Sequence, residues 1–246
     1  MRRRGTIARP HARCRGFAFL VQCVMPENQQ PTDFQPVTPR RTSREFGPTS
    51  LRVGPLTGTL IGISIAVAIF SRLGENDDVL SHLFISQYFR GGDEGLLPEV
   101  MHGELWRLLS PIFIHFGFIH LLFNMLWLKD LGSAIEKLIS TRVLLALVII
   151  IGVFSNLVQF FFAGPLFGGM SGVVYGLLGY VWMKSRFDPA SGLYMDKQTV
   201  IWMVGWFFLC LTGAMGHVAN YAHGAGLVAG VIWGFASAKT RNTLLS

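Results

Sequence analysis

The chain has 246 residues, 51% of them apolar and only 14% charged, with a mean hydropathy of +0.45. That balance excludes a soluble globular domain and points to a polytopic membrane protein, since several segments approach the roughly 20 apolar residues that cross a bilayer. The net charge of +7 sits in residues 1–52, where ten Arg face Glu27, Asp33 and Glu45, while residues 53–246 hold eleven basic and eleven acidic residues. An Arg-rich tail beside a membrane segment marks the cytoplasmic side and suits an anionic lipid surface; no nucleic acid partner is expected.

Residues 1–24 carry six Arg, no acid and an apolar run over 16–25 that is too short to span. The run reads either as a degenerate targeting segment or as an upstream extension with Met25 as the true start, and the second reading is preferred. Residues 26–55 are rich in Pro, Thr, Gln and Arg, so 1–54 is expected to be a disordered cytoplasmic tail. Six spans follow, predicted at about 56–73, 112–131, 143–162, 171–183, 199–212 and 220–238, with 55–240 as one domain and 241–246 as a short cytoplasmic tail. The connection over 74–111 holds seven acids and two Arg and is placed outside. Lys129, Lys137 and Arg142, then Lys184, Arg186 and Lys197, place the next charged connections in the cytoplasm. Cys14, Cys23 and Cys210 show neither metal-ligand spacing nor a disulfide framework.

The chain is organised around Ser171. A loop with Gly164, Pro165, Gly168 and Gly169 leads into an apolar helix starting at Ser171, and Gly172, Gly176 and Gly179 leave one face of it nearly bare. A small-residue face admits a second helix backbone closely. Span six offers a matching face in Gly226 and Gly230, just after His223. Packing these faces together brings His223 to Ser171. In the six-span topology the first half of span two lies at the same depth, with His115, His120 and Asn124. Ionisable and polar groups at membrane depth are a functional hypothesis by default.

A serine hydroxyl is a weak nucleophile until a base removes its proton. No Asp or Glu lies in the outer half of any span, so a Ser171/His223 dyad without a carboxylate is expected, with Tyr175 one turn below Ser171 against the imidazole. His120 and Asn124, four apart on one helix face, and the Ser171 N–H can donate to a developing oxyanion. His115 and His120 also suit a metal or a satisfied core, Asn124 a helix bridge, and Trp106-Arg107 an interfacial anchor. Polar groups lining a path would suit a transporter, but the lower halves of spans four and six are apolar and no internal repeat stands out. A His-Glu-x-x-His zinc motif and an intramembrane aspartate pair are both absent.

These motifs resemble those of the rhomboid family of intramembrane serine proteases, of the bacterial GlpG-like six-helix type, over roughly residues 55–240. Glu104-x-Trp106-Arg107 resembles the family's first-loop motif and His115-x4-His120-x3-Asn124 its second-helix motif. Gly169-x-Ser171-Gly172 resembles the nucleophile motif and Ala222-His223-x-x-Gly226 the sixth-helix base motif. The resemblance implies cleavage of a peptide bond within or beside a substrate's transmembrane segment. Ser171 would attack, His223 would act as base and then acid, and His120, Asn124 and the Ser171 N–H would hold the oxyanion. It also implies that span five and the loop after it move to admit substrate. It implies no metal and no organic cofactor. The partners would be transmembrane protein substrates and membrane lipid, in a bacterial inner membrane with the site opening to the periplasmic side; the oligomeric state is left open. A catalytically silent client-binding relative is the alternative. The soluble N-terminal domain of some relatives is not expected here, and residues 205–220 match the family poorly.

Overall fold

The computed structural model describes residues 52–87, 96–212 and 218–245. The predicted tail over 1–54 therefore lies almost wholly outside the described residues. The described residues are all-helical, and one helix, Thr141–Ala163, is long and apolar enough by itself to cross a bilayer.

Helix α1 (Pro55–Phe70) opens on a proline, whose missing N–H costs nothing in a first turn. Its free N–H groups are satisfied from far along the chain. The Glu136 carboxylate accepts from the N–H of Leu56 at 2.8 Å, the N–H of Thr57 at 2.9 Å and the Thr57 hydroxyl at 2.8 Å. One stripe of α1, with Thr57, Leu60, Ser64 and Ala68, is buried. The helix ends in a clasp in which Arg72 and Leu73 take left-handed backbone angles and the Leu73 carbonyl accepts the Gly117 N–H at 3.0 Å.

The first loop is partly helical. It carries α2 (Asp77–Ser81), α3 (Pro98–Met101) and two 3-10 turns, Leu105–Leu108 and Ser110–Phe113. The second span differs from the predicted 112–131. Residues 110–117 form a 3-10 turn and a bend, and α4 begins only at Phe118 (Phe118–Trp127). Pro111 favours the tight turn, and Gly117, at φ +95°, breaks helical geometry. His115 thus lies in the bend and not on the helix. After α4 the helix runs through a π turn (Leu128–Gly132) into α5 (Ser133–Leu138) without leaving helical angles.

Helix α6 (Thr141–Ala163) is capped by Ser140, whose Oγ accepts the Val143 N–H at 3.1 Å. Helix α7 (Ser171–Phe187) continues a turn past the predicted end at 183, and α9 (Asn220–Leu245) runs on past 238 to 245. Helix α8 (Lys197–Leu211) and α1 stay near their predicted bounds. From Gly172 to Val181 every residue of α7 is buried, packed against α9, α6 and the π turn.

The α7–α9 contact is made by backbone. A Cβ on Gly226 or Gly230 would collide with the carbonyl oxygen of Gly172 or Gly176, respectively. A Cβ on Gly179 would lie 2.7 Å from the Leu227 carbonyl, and one on Gly176 2.6 Å from Ile151. The four glycines expected to pack span four on span six lie face to face.

Gly230→Ala should push α7 and α9 apart at a cost of roughly 1–3 kcal/mol, read as a lower melting temperature in detergent. Gly205→Ala on α8, where a Cβ meets nothing within 4 Å, should leave melting unchanged or raise it.

Asp196 caps α8, accepting from the Thr199 hydroxyl at 2.6 Å and the Thr199 N–H at 2.9 Å. The Thr199 hydroxyl and N–H together hold its carboxyl below the usual carboxylate range. A depressed folded value stabilises above the unfolded pKa and fades as pH falls through the folded one. Asp196→Ala should therefore cost about 1 kcal/mol near neutrality, with native and variant melting curves converging as pH drops through the carboxylate range.

Candidate active site

Ser171 is the first residue of α7 and His223 lies in the first turn of α9. The glycine-to-carbonyl packing below them fixes how near they come. His223 Nε2 stands 2.7 Å from Ser171 Oγ, within reach of direct proton transfer. His223 is 3% exposed, and its Nδ1 has no hydrogen-bond partner among the described residues. The imidazole rests on the Tyr175 ring, with centroids 4.8 Å apart and planes tilted by 39°.

His120 comes to the same point from α4. A Cβ on Gly169 would sit 2.9 Å from His120 Nε2 and Cε1 and 3.4 Å from Ser171 Oγ. The bare Gly169 is therefore where the two side chains converge, and its φ of +131° is one that side-chain-bearing residues rarely adopt. Asn124 is buried one turn below His120 and donates from Nδ2 to the His120 carbonyl at 2.9 Å. An amide carries a second N–H, and Asn124 faces the same cavity.

His115 is fully buried in the bend, its Nδ1 3.0 Å from the Phe113 carbonyl and its ring 5.2 Å from that of His120. With Nδ1–H donating, Nε2 is left to accept the Met170 N–H at 3.5 Å. It thus supports the loop before Ser171 and does not line the cavity. Among the described residues no three His, Cys, Asp or Glu side chains converge as metal ligands would.

Trp106 and Arg107 also lie away from the cavity. Trp106 is exposed and donates from Nε1 to the His82 carbonyl at 3.3 Å. Arg107 is 2% exposed; it pairs with Glu104 and gives Nη1 to the carbonyls of Ser81 at 2.6 Å and Phe84 at 2.9 Å. The Trp-Arg pair is an internal staple of the first loop.

Ser171, His223, His120, Asn124 and Tyr175 share a cavity of about 930 Å³ between α4, α7, α8 and α9. Its walls include Phe123 and Trp206, whose rings are 5.9 Å apart across α4 and α8. Gln159 on α6 belongs to it too and was not singled out from sequence; its Oε1 accepts the Ala222 N–H at 3.1 Å, beside His223. The available signal was a polar trio, Ser155, Asn156 and Gln159, in an otherwise apolar helix. Asn156 instead ties α6 to the first loop through the Leu108 carbonyl at 2.9 Å.

A hydroxyl at a helix N-terminus, an imidazole in contact with it and polar groups from a third helix are the kinds of group that acyl-transfer chemistry uses. The sequence profile of the Rhomboid domain matches residues 102–240, more than half of the chain, and the chain belongs to the rhomboid family. It is 37% identical over 183 residues to the rhomboid protease GlpG of Klebsiella pneumoniae, covering 74% of this chain and 63% of that protein. It is 42% identical over 137 residues to the rhomboid protease GlpG of Salmonella paratyphi A, covering 55% of this chain and 50% of that protein. The chain thus spans less than two thirds of these curated relatives. Family and helical fold together make it an all-helical, multi-pass membrane protein.

Arg107→Ala should leave the half-buried carbonyls of Ser81 and Phe84 and the Glu104 carboxylate without their donor, lowering stability by about 1–3 kcal/mol. Arg107→Lys should recover little of the lost melting temperature, because an ammonium cannot reproduce the guanidinium fork.

Proposed function

We propose that the chain is an intramembrane serine endopeptidase with a Ser171/His223 dyad, acting on the transmembrane segments of membrane proteins. The observation that carries this reading is the 2.7 Å contact between His223 Nε2 and Ser171 Oγ. In the finer topology, six spans put both termini in the cytoplasm of a bacterial cell and open the site toward the periplasmic face of the inner membrane. Residues 55–240 are the protease domain and 1–54 a cytoplasmic tail.

The chemistry follows from the contacts. Ser171 Oγ attacks the scissile carbonyl carbon as its proton passes to His223 Nε2. The carbonyl oxygen becomes an oxyanion, met by His120, the free N–H of Asn124 and the Ser171 N–H at the positive end of α7. The tetrahedral intermediate collapses, the C–N bond breaks, and the imidazolium proton leaves with the amine. Water then attacks the acyl ester, giving its proton to His223, and the carboxylic acid departs as Ser171 regains its hydrogen. Among the described residues His223 has no carboxylate partner, so its orientation falls to the Ser171 contact and to packing on Tyr175. His115, Gly169, Trp106 and Arg107 support the loops around this centre.

A silent client-binding protein has no use for a hydroxyl aligned on a buried imidazole. A transporter needs a polar path onward, whereas below Ser171 the α7–α9 seam is closed by glycine against carbonyl.

Purified protein in liposomes, offered a generic transmembrane substrate, should cleave it. Ser171→Ala and His223→Ala should each reduce cleavage by about 10³-fold or more with melting unchanged. Cleavage that survives Ser171→Ala would overturn the proposal.

A further inference from the structure

His223 Nδ1 is buried and has no hydrogen-bond partner among the described residues. The tautomer makes that costly. For Nε2 to accept the Ser171 proton, Nδ1 must carry the ring hydrogen, and a buried N–H left unbonded forfeits its hydration. Other polar side chains of the cavity are engaged elsewhere. The Tyr175 hydroxyl donates to the Met203 carbonyl on α8 at 3.3 Å, with Phe207 of that helix edge-on to the Tyr175 ring. Gln159 Oε1 holds the Ala222 N–H.

A second orphan lies one turn away. Asn220, the first residue of α9, donates from Nδ2 to the Cys210 carbonyl on α8 at 3.3 Å. A carbonyl can only accept, so this bond fixes which end of the amide is nitrogen. The other end, Oδ1, is buried and has no partner among the described residues. One unpaired donor and one unpaired acceptor thus sit on the first turn of the same helix. They do not bond each other directly, yet side chains three apart on a helix start only about 5–6 Å from one another. One water spans such a gap, its oxygen accepting from Nδ1–H and one of its hydrogens reaching Oδ1. His223 also lines the cavity of about 930 Å³, from which water can reach the ring.

We infer that one buried water joins His223 Nδ1 to Asn220 Oδ1, and that Asn220 is thereby a positioning residue of the dyad. The inference rests on the protease reading above and adds a polar support for its base. As the Ser171 proton passes to Nε2 the imidazole becomes a cation, and the bond from Nδ1–H to the water becomes charge-assisted. The bridge is therefore stronger in the transition state than at rest, and it acts on kcat more than on substrate binding. Asn220 touches neither substrate nor the reacting atoms.

In liposomes with a transmembrane substrate, Asn220→Ala should lower kcat about threefold to tenfold and leave KM within about twofold. Asn220→Asp loses the bond to the Cys210 carbonyl and keeps an oxygen for the water, so it should recover most of the lost kcat. A residue that only ties α9 to α8 gives the opposite result, with Asp as impaired as Ala. A crystal structure of the native chain should show one water within about 3.2 Å of both atoms, and this readout holds even if neither variant folds. A smaller fall in kcat for Asn220→Ala, an Asp variant no better than Ala, or a native crystal structure without that water overturns the bridge. No cleavage by the native chain overturns the protease reading, while the crystal structure still decides the water.

Discussion

The seam between α7 and α9 is the contact on which the rest depends. Lipid tails are as apolar as leucine, so helices in a bilayer gain little from burying hydrocarbon and associate through close packing. Here Gly226 and Gly230 leave room for the carbonyl oxygens of Gly172 and Gly176 themselves. Two helices drawn that close have few ways to slide, and residues at the head of each are fixed relative to one another. Ser171 and His223 occupy those positions. Their 2.7 Å contact is thus a product of backbone packing a turn below, before any polar partner is counted.

The same economy explains the orientation of the base. A buried carboxylate behind His223 would carry a large desolvation cost at membrane depth. The imidazole leans on Tyr175, and the aromatic contact continues to α8. Rigidity is graded across the molecule: α7 is sheathed on nearly all sides, α9 and α6 hold it, and α8 rests on the edge with most of its side chains outward. The first loop is pinned separately by Arg107 and by Asn156 of α6. A fixed centre beside a lightly held wall suits the proposed protease, whose site would have to stay aligned and still admit a transmembrane segment.

How far the sequence foretold this depends on the kind of force involved. Glycines at four-residue spacing have one dominant meaning in an apolar helix, so the seam and the meeting of Ser171 with His223 were legible. The start of span two was not, because 112–117 is apolar but for His115 while Pro111 and Gly117 decide the backbone there. That misplaced His115, which sits in a bend and steadies the Met170 N–H. Tyr175 was legible as a neighbour of His223 but not as a donor to Met203, since a backbone carbonyl acceptor leaves no trace in residue types. Gln159 was hidden for a similar reason: its partner is the N–H of Ala222. Glu136, capping α1 from a distance of about 80 positions in the chain, is a third case of side chain meeting backbone.

The central claim is that helix packing alone makes Ser171 a nucleophile through His223. The most direct measurement is to treat the protein in liposomes with a small fluorophosphonate and locate the adduct by mass spectrometry, in the native chain and in His223→Ala. The account predicts an adduct on Ser171 and on no other serine, lost when His223 is removed. An adduct elsewhere, or undiminished labelling of Ser171 without His223, would contradict it.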